Sequence, residues 1–171
     1  MIIVPTIVSP YFLSLYNIQA LLRDRAFNGI WAVVMSILLI LGDLDLSIGK
    51  MGCLCGILAG LMMTNGLPPV VAVLITVALG AFFGFINGFL VTKLRLMAMI
   101  VTIGMKSVYA GINIVLTKGV AVTGLPKGWL FIGQGFFLGI PIPFIIMLAF
   151  LAAVTFLMRF TRFGRYTYAV G

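Results

Sequence analysis

Histidine and glutamate are absent from this chain, and aspartate occurs only at positions 24, 43 and 45. Without His or Glu, no ordinary pairing of nucleophile and general base can be assembled, so we expect no catalytic residue. No G-x-x-x-x-G-K-[ST] run occurs either, which excludes nucleotide binding through a P-loop. The two cysteines, Cys53 and Cys55, lie two apart in an apolar run. On a helix they point in nearly opposite directions, and no histidine is present to complete a metal site. We read them as buried structural thiols and expect neither metal nor cofactor. Charge of either sign is scarce: 8% of residues are charged and 63% are hydrophobic. Soluble domains carry about a quarter charged residues. The balance is that of a polytopic integral membrane protein.

The net charge of +8 does not point to nucleic acid. The basic residues are dispersed through short loops, where they set orientation in the bilayer. Met1 to Val8 is apolar, lacks a basic leader and is interrupted by Pro5, with Pro10 just beyond. It reads as the last turns of a span whose beginning is absent rather than as a secretory signal, and we expect the chain to be a fragment.

The chain is punctuated by polar breaks. Tyr11 to Leu22 suits a short interfacial helix before Arg23-Asp24-Arg25. Ala26 to Leu41 is a first span, rising only about 24 Å. A second runs from Ile48 to Met63 with Gly52, Gly56 and Gly60, and a third from Val70 to Leu90 with Gly80, Gly84 and Gly88. Four-residue spacing puts each set of glycines on one face, the pattern of close helix packing. Asn65-Gly66-Leu67-Pro68-Pro69 makes a turn between them. The fourth span, Met97 to Leu116, carries Thr102, Lys106, Tyr109, Asn113 and Thr117 along one face. Lys106 stands mid-span, where an ammonium needs water or a partner. Two readings stand: an ion pair with Asp43 or Asp45, or the polar wall of a translocation path through Thr102, Lys106, Tyr109 and Asn113. Lys118 to Ile140 reads as a Gly-rich, Pro-containing loop with Trp129 and Phe131, amphipathic enough to lie on a membrane surface, and Pro141 to Met158 as the last span. Alternating the spans back from the basic, aromatic exit after Arg159 places six Lys and Arg inside and four outside. The fold class is all-α, with about five to six transmembrane helices, some short or broken.

The stretch Gly42-Asp43-Leu44-Asp45-Leu46-Ser47-Ile48-Gly49 holds two of the three acids between apolar runs. Carboxylates in hydrocarbon are costly and must reach an interface, a wet cavity or cations. Gly42 and Gly49 allow the backbone to leave the helix there.

This stretch resembles the G-G-I-D-L-S-[VI]-G signature of the permease subunits of bacterial ABC importers for ribose, galactose, xylose and autoinducer-2. The resemblance continues through Ser9-Pro10-Tyr11-Phe12, Gly84-Phe85-Ile86-Asn87-Gly88, Ile100-Val101-Thr102-Ile103-Gly104 and Gly124-Leu125-Pro126. It extends to Gly139-Ile140-Pro141-Ile142-Pro143 and Thr161-Arg162-Phe163-Gly164-Arg165-Tyr166. It implies a multi-pass permease of the bacterial cytoplasmic (inner) membrane that translocates a monosaccharide or related small polar solute. It further implies a second permease copy, a cytoplasmic ATPase that hydrolyses the ATP, and an extracytoplasmic sugar-binding protein. Residues 1–171 would be a single transmembrane domain, the N-terminal half of such a permease, with 159–171 opening the ATPase-coupling segment. Arg162, Gly164, Arg165 and Tyr166 would face the ATPase. Asp45 and Ser47 are expected to hold the helix break in shape, Ser47 capping the next span. Three departures stand out: Asp43 replaces a glycine, Lys106 an apolar residue, and Ala110 a frequent arginine. Asp43 and Lys106 are therefore expected to be compensating partners. Alternatives of other kinds are a permease for a nucleoside or branched-chain amino acid, an ion-coupled carrier using Asp43 or Asp45, and a non-transporting scaffold.

Overall fold

A computed structural model describes residues 14–171. The expected span remnant at Met1 to Val8 and the matching Ser9-Pro10-Tyr11-Phe12 lie outside the described residues. Seven helices are described: α1 Leu15–Ile40, α2 Ile48–Thr64, α3 Pro69–Leu94, α4 Ala98–Thr117, α5 Lys127–Gln134, α6 Ile142–Phe160 and α7 Arg162–Val170. A two-residue ribbon, β1 Phe136–Phe137 and β2 Ile140–Pro141, interrupts them. The architecture is all-α and polytopic. Helices α3, α4 and α6 are long and apolar enough to cross a membrane, and α2 is an apolar helix of 17 residues.

One expectation about α1 is corrected. The interfacial helix over Tyr11 to Leu22 and the span over Ala26 to Leu41 are a single 26-residue helix from Leu15 onward. Arg23, Asp24 and Arg25 are compatible with helical backbone, and no Gly or Pro lies between Leu15 and Asn28 to end the helix. Similarly, the expected loop over Lys118 to Ile140 contains α5 and the ribbon.

The described residues form two compact units. One comprises residues 35–129 with Gly171. In it α2 packs on α3 and α4, and α3 packs on α4. Its interior holds Leu54, Met63 and Ala72, but also Ser47, Asn87, Thr102, Tyr109 and Asn113. The outside is the apolar part: Val70, Leu74, Val77, Phe85, Ile114 and Val115 are all exposed. A water-soluble bundle is built the other way round, with its apolar residues inward. Helix α3, apolar and exposed over its outer sides, suits a lipid environment.

The glycine faces behave unequally. A Cβ at Gly60 would touch Val122, and one at Gly80 would touch Cys55 Sγ at 3.5 Å. Gly56, Gly84 and Gly88 have no neighbour where a Cβ would stand. Helix packing therefore accounts for Gly60 and Gly80, whereas Gly56, Gly84 and Gly88 border cavities. The cysteines also depart from expectation. Both are free, Cys53 exposed and Cys55 half-buried against α3, since residues two apart on α2 cannot both face the bundle.

The other unit comprises, among the described residues, 14–34 and 130–170. Here α1 buries Ala26 and brings Gly29 against Met147 of α6 so closely that a Cβ would fall on the thioether. Gln19 Nε2 donates to the Gly139 carbonyl at 2.9 Å, and Arg23 Nη2 to the Gln134 carbonyl at 3.4 Å. Thr161 joins α6 to α7. Its hydroxyl donates back to the Leu157 carbonyl at 2.6 Å and lies 3.5 Å from the Gly164 amide, at the start of α7. Gly164 is buried there, and a Cβ would collide with the backbone of Met158.

That collision gives a direct contrast. Gly164→Ala should destabilise the protein by about 1–3 kcal/mol through overpacking. Gly49→Ala, in helical backbone facing open space, should instead add up to about 1 kcal/mol of helix stability. Thermal unfolding in mild detergent reads both. A harmless Gly164→Ala would refute the tight joint.

Candidate functional site

The site begins where α1 ends. Gly42 has φ +79°, its amide donates to the Leu39 carbonyl at 3.1 Å, and the Asp43 amide donates to the Leu38 carbonyl at 3.0 Å. This pair of bonds is the Schellman closure of a helix, and it needs a residue that tolerates left-handed backbone. The chain is then irregular from Asp43 to Asp45. Gly49 belongs to the second helix rather than to the break, being already the second residue of α2.

Asp45 rebuilds order after the break. Its Oδ1 accepts from the Ser47 amide at 2.8 Å and from the Ser47 hydroxyl at 2.6 Å. Ser47 occupies the N-cap position of α2, but its side chain makes no capping bond. The expected capping role is corrected because that hydroxyl is already committed to Asp45 and to α3. Asn87 Nδ2 donates to Ser47 Oγ at 2.7 Å and lies 3.4 Å from Asp45 Oδ2. The Tyr109 hydroxyl donates to Asn87 Oδ1 at 3.0 Å, with the Phe83 carbonyl a second acceptor at 3.3 Å. The Tyr109 ring packs on Phe83 at 5.5 Å between centroids. Asn113, one turn along α4, donates to the Lys50 carbonyl of α2 at 3.3 Å. Its Oδ1 is buried and has no partner among the described residues. Three helices are thus tied to one break through buried polar groups.

A cavity of about 210 Å³ opens beside this network. Asp43, Asp45, Asn87, Thr102 and the bare backbones of Gly84 and Gly88 line it. It offers carboxylate and amide oxygens, hydroxyls and an apolar side, which is chemistry for hydrogen bonding. Among the described residues no three His, Cys, Asp or Glu side chains gather as a metal site would need.

The expected path residues are divided by the structure. Thr102, Tyr109 and Asn113 are buried together on the inner face of α4. Thr102 lines the cavity, whereas the polar groups of Tyr109 and Asn113 reach α3 and α2. Lys106 is exposed and joins none of them. It makes no ion pair with Asp43 or Asp45 among the described residues, and Asp43 is itself exposed. The expected Asp43–Lys106 partnership is therefore corrected: position 106 falls at the edge of the buried face, and a long lysine stem carries the ammonium outward from it. Arg162, Arg165 and Tyr166 are exposed together along α7, opposite buried Gly164 and Thr167. Asn87 lies in a matching motif but has no role expected of it from the sequence. The available signal was an amide in a strongly apolar span, which is costly unless it is partnered.

Comparison with known proteins settles the family. Residues 17–171 match the model described as the permease component of branched-chain amino acid transport systems. The chain belongs to this permease family. The permease is 38% identical over its whole length to the ribose import permease protein of Bacillus subtilis, covering 54% of that protein. It is 34% identical to the ribose import permease protein of Escherichia coli K12, again over its whole length and 54% of the relative. The L-arabinose ABC transporter permease protein of Azospirillum brasilense is 33% identical over 95% of the permease chain and 48% of its own. The chain spans about half the length of these curated relatives. No solved structure matches it.

The network predicts unequal costs for two substitutions. Asn87→Leu strips partners from Asp45, Ser47 and Tyr109 at once and should cost about 2–4 kcal/mol. Tyr109→Phe keeps the ring on Phe83 and should cost about 1 kcal/mol. Denaturant unfolding in detergent compares them, and equal losses would remove Asn87 from the centre.

Proposed function

We propose that the chain is the N-terminal half of the membrane permease subunit of an ATP-driven importer that carries a monosaccharide or a similar polyhydroxylated solute. The observation that carries this reading is the cavity at the helix break, where Asp43, Asp45, Asn87 and Thr102 converge beside two glycines without side chains. Vicinal hydroxyls match carboxylate and amide oxygens, and the glycines leave room for a ring. The resemblance to permeases named for ribose and arabinose points the same way.

In this reading Thr102 and the two carboxylates meet the solute, while Lys106 stands one turn beyond Thr102 at the edge of that face, outside the cavity. Tyr109 and Asn113 support the break from behind. The permease works in the bacterial cytoplasmic membrane with a second copy of itself, an extracytoplasmic sugar-binding protein and a cytoplasmic ATPase. It performs no chemistry, and hydrolysis by the ATPase shifts it between outward and inward states. Residues 159–171 begin the segment that meets the ATPase, with Arg162, Arg165 and Tyr166 presented on the open side of α7 and Gly164 setting its angle.

Uptake of radiolabelled sugars into cells expressing the complete gene with its neighbouring ATPase and binding-protein genes tests this. Uptake should stop on ATP depletion and survive an uncoupler. Thr102→Val should lower it by about tenfold through one lost hydrogen bond at the solute while the permease still co-purifies with the ATPase. Uptake that collapses with the uncoupler alone would replace the importer with an ion-coupled carrier working through Asp43 or Asp45.

A further inference from the structure

The ribbon between α5 and α6 carries an unusual turn. Phe137 pairs with Ile140, and the two connecting residues, Leu138 and Gly139, have φ of +51° and +82°. Two successive positive φ values are the type I′ pattern that suits a two-residue hairpin. Asn, Asp or Gly ordinarily fills the first of these positions, because other side chains crowd the left-handed backbone. Leucine stands there instead, with 88% of its surface exposed. The backbone cost is steric and the same in any solvent, but in water the hydrated side chain would add to it.

Its neighbours in the chain are no more polar. Phe136, Phe137 and Ile140 are exposed beside it, and no charged residue occurs between Lys127 and Arg159. The ribbon runs without a spacer into α6. The exposed Ile146, Leu148 and Phe150 of α6 form apolar surface on a helix long enough to cross a membrane. The polar contacts of the segment come from α1. Gln19 donates to the turn carbonyl of Gly139, and Arg23 one turn later reaches the Gln134 carbonyl and lies over the Phe136 ring at 5.2 Å. A turn carbonyl satisfied from within the protein can enter hydrocarbon at little cost.

We infer that the 136–141 hairpin is a membrane anchor, with Phe137 and Leu138 seated in the acyl region of the leaflet that surrounds the start of α6. Gln19 and Arg23 are the clamp that fixes it to α1. The anchor would hold the end of α6 at constant depth while other parts of the permease move.

The test uses the protein from its complete gene in phosphatidylethanolamine–phosphatidylglycerol nanodiscs, with its cysteines replaced and a nitroxide attached at Phe137→Cys. Collisions with oxygen, which concentrates in lipid, should exceed those with a water-soluble nickel chelate. Adding Leu138→Asn relieves the backbone and removes the apolar tip, and should shift the ratio several-fold toward nickel. Higher nickel access with Leu138 in place would overturn the inference by showing a tip in water, free for a soluble partner. Exclusion of both agents would overturn it by showing a tip covered by protein. A ratio unmoved by Leu138→Asn would remove Leu138 from the anchor.

Discussion

One side-chain amide closes the structure of the larger unit. Where α1 stops and α2 has yet to start, the backbone has lost its helical partners, and in an apolar surrounding those groups have no water to turn to. Asp45 recaptures the Ser47 amide, but a carboxylate in such a place needs donors of its own. Asn87 supplies one from α3, binds the Ser47 hydroxyl with the same nitrogen, and uses its oxygen to take up Tyr109 from α4. Donors and acceptors pair in sequence, so none of these groups can leave without stranding the next. The arrangement of α2, α3 and α4 around the break follows from that chain of pairings as much as from their apolar contacts.

The same constraint explains why this unit is polar within and apolar without. In water, burial of Leu and Phe drives the bundle together. In lipid that drive is absent, and association relies on close packing and hydrogen bonds. Buried Ser47, Asn87, Thr102 and Asn113, beside exposed Phe85 and Val77, show that exchange of roles. The open space beside Gly84 and Gly88 is part of it. Small residues that admit no helix at those points admit a cavity, and the polar network supplies its wall.

Much of this was readable from residues alone. The spacing of Thr102, Tyr109 and Asn113 put them on one face, and they are buried together. Gly42 marked the end of α1, and the four-helix order from Ala26 to Thr117 was evident in the apolar runs. Lys106 shared the periodicity but not the burial, because a period gives direction around a helix and not the width of its buried face. The Arg23-Asp24-Arg25 cluster looked like a boundary. Charge reports depth in a bilayer, whereas chain breaks need Gly, Pro or lost hydrogen bonds. Glycine spacing likewise announced a bare face without saying whether a helix or a cavity lies against it. Asn87 escaped a role because its partners sit 40 and 22 residues away in sequence, and only the fold joins them.

The most direct test is hydrogen–deuterium exchange across residues 41–50 in nanodiscs, comparing the native chain with Asn87→Ala. If α3 holds the break, the Ser47 amide and the first turn of α2 should exchange about tenfold faster in the variant, reflecting the loss of roughly 1.4 kcal/mol of local protection. The Gly42 and Asp43 amides, which close α1 by themselves, should not change. Identical exchange throughout the stretch would contradict the account, leaving the break held by its own turn and Asn87 a bystander.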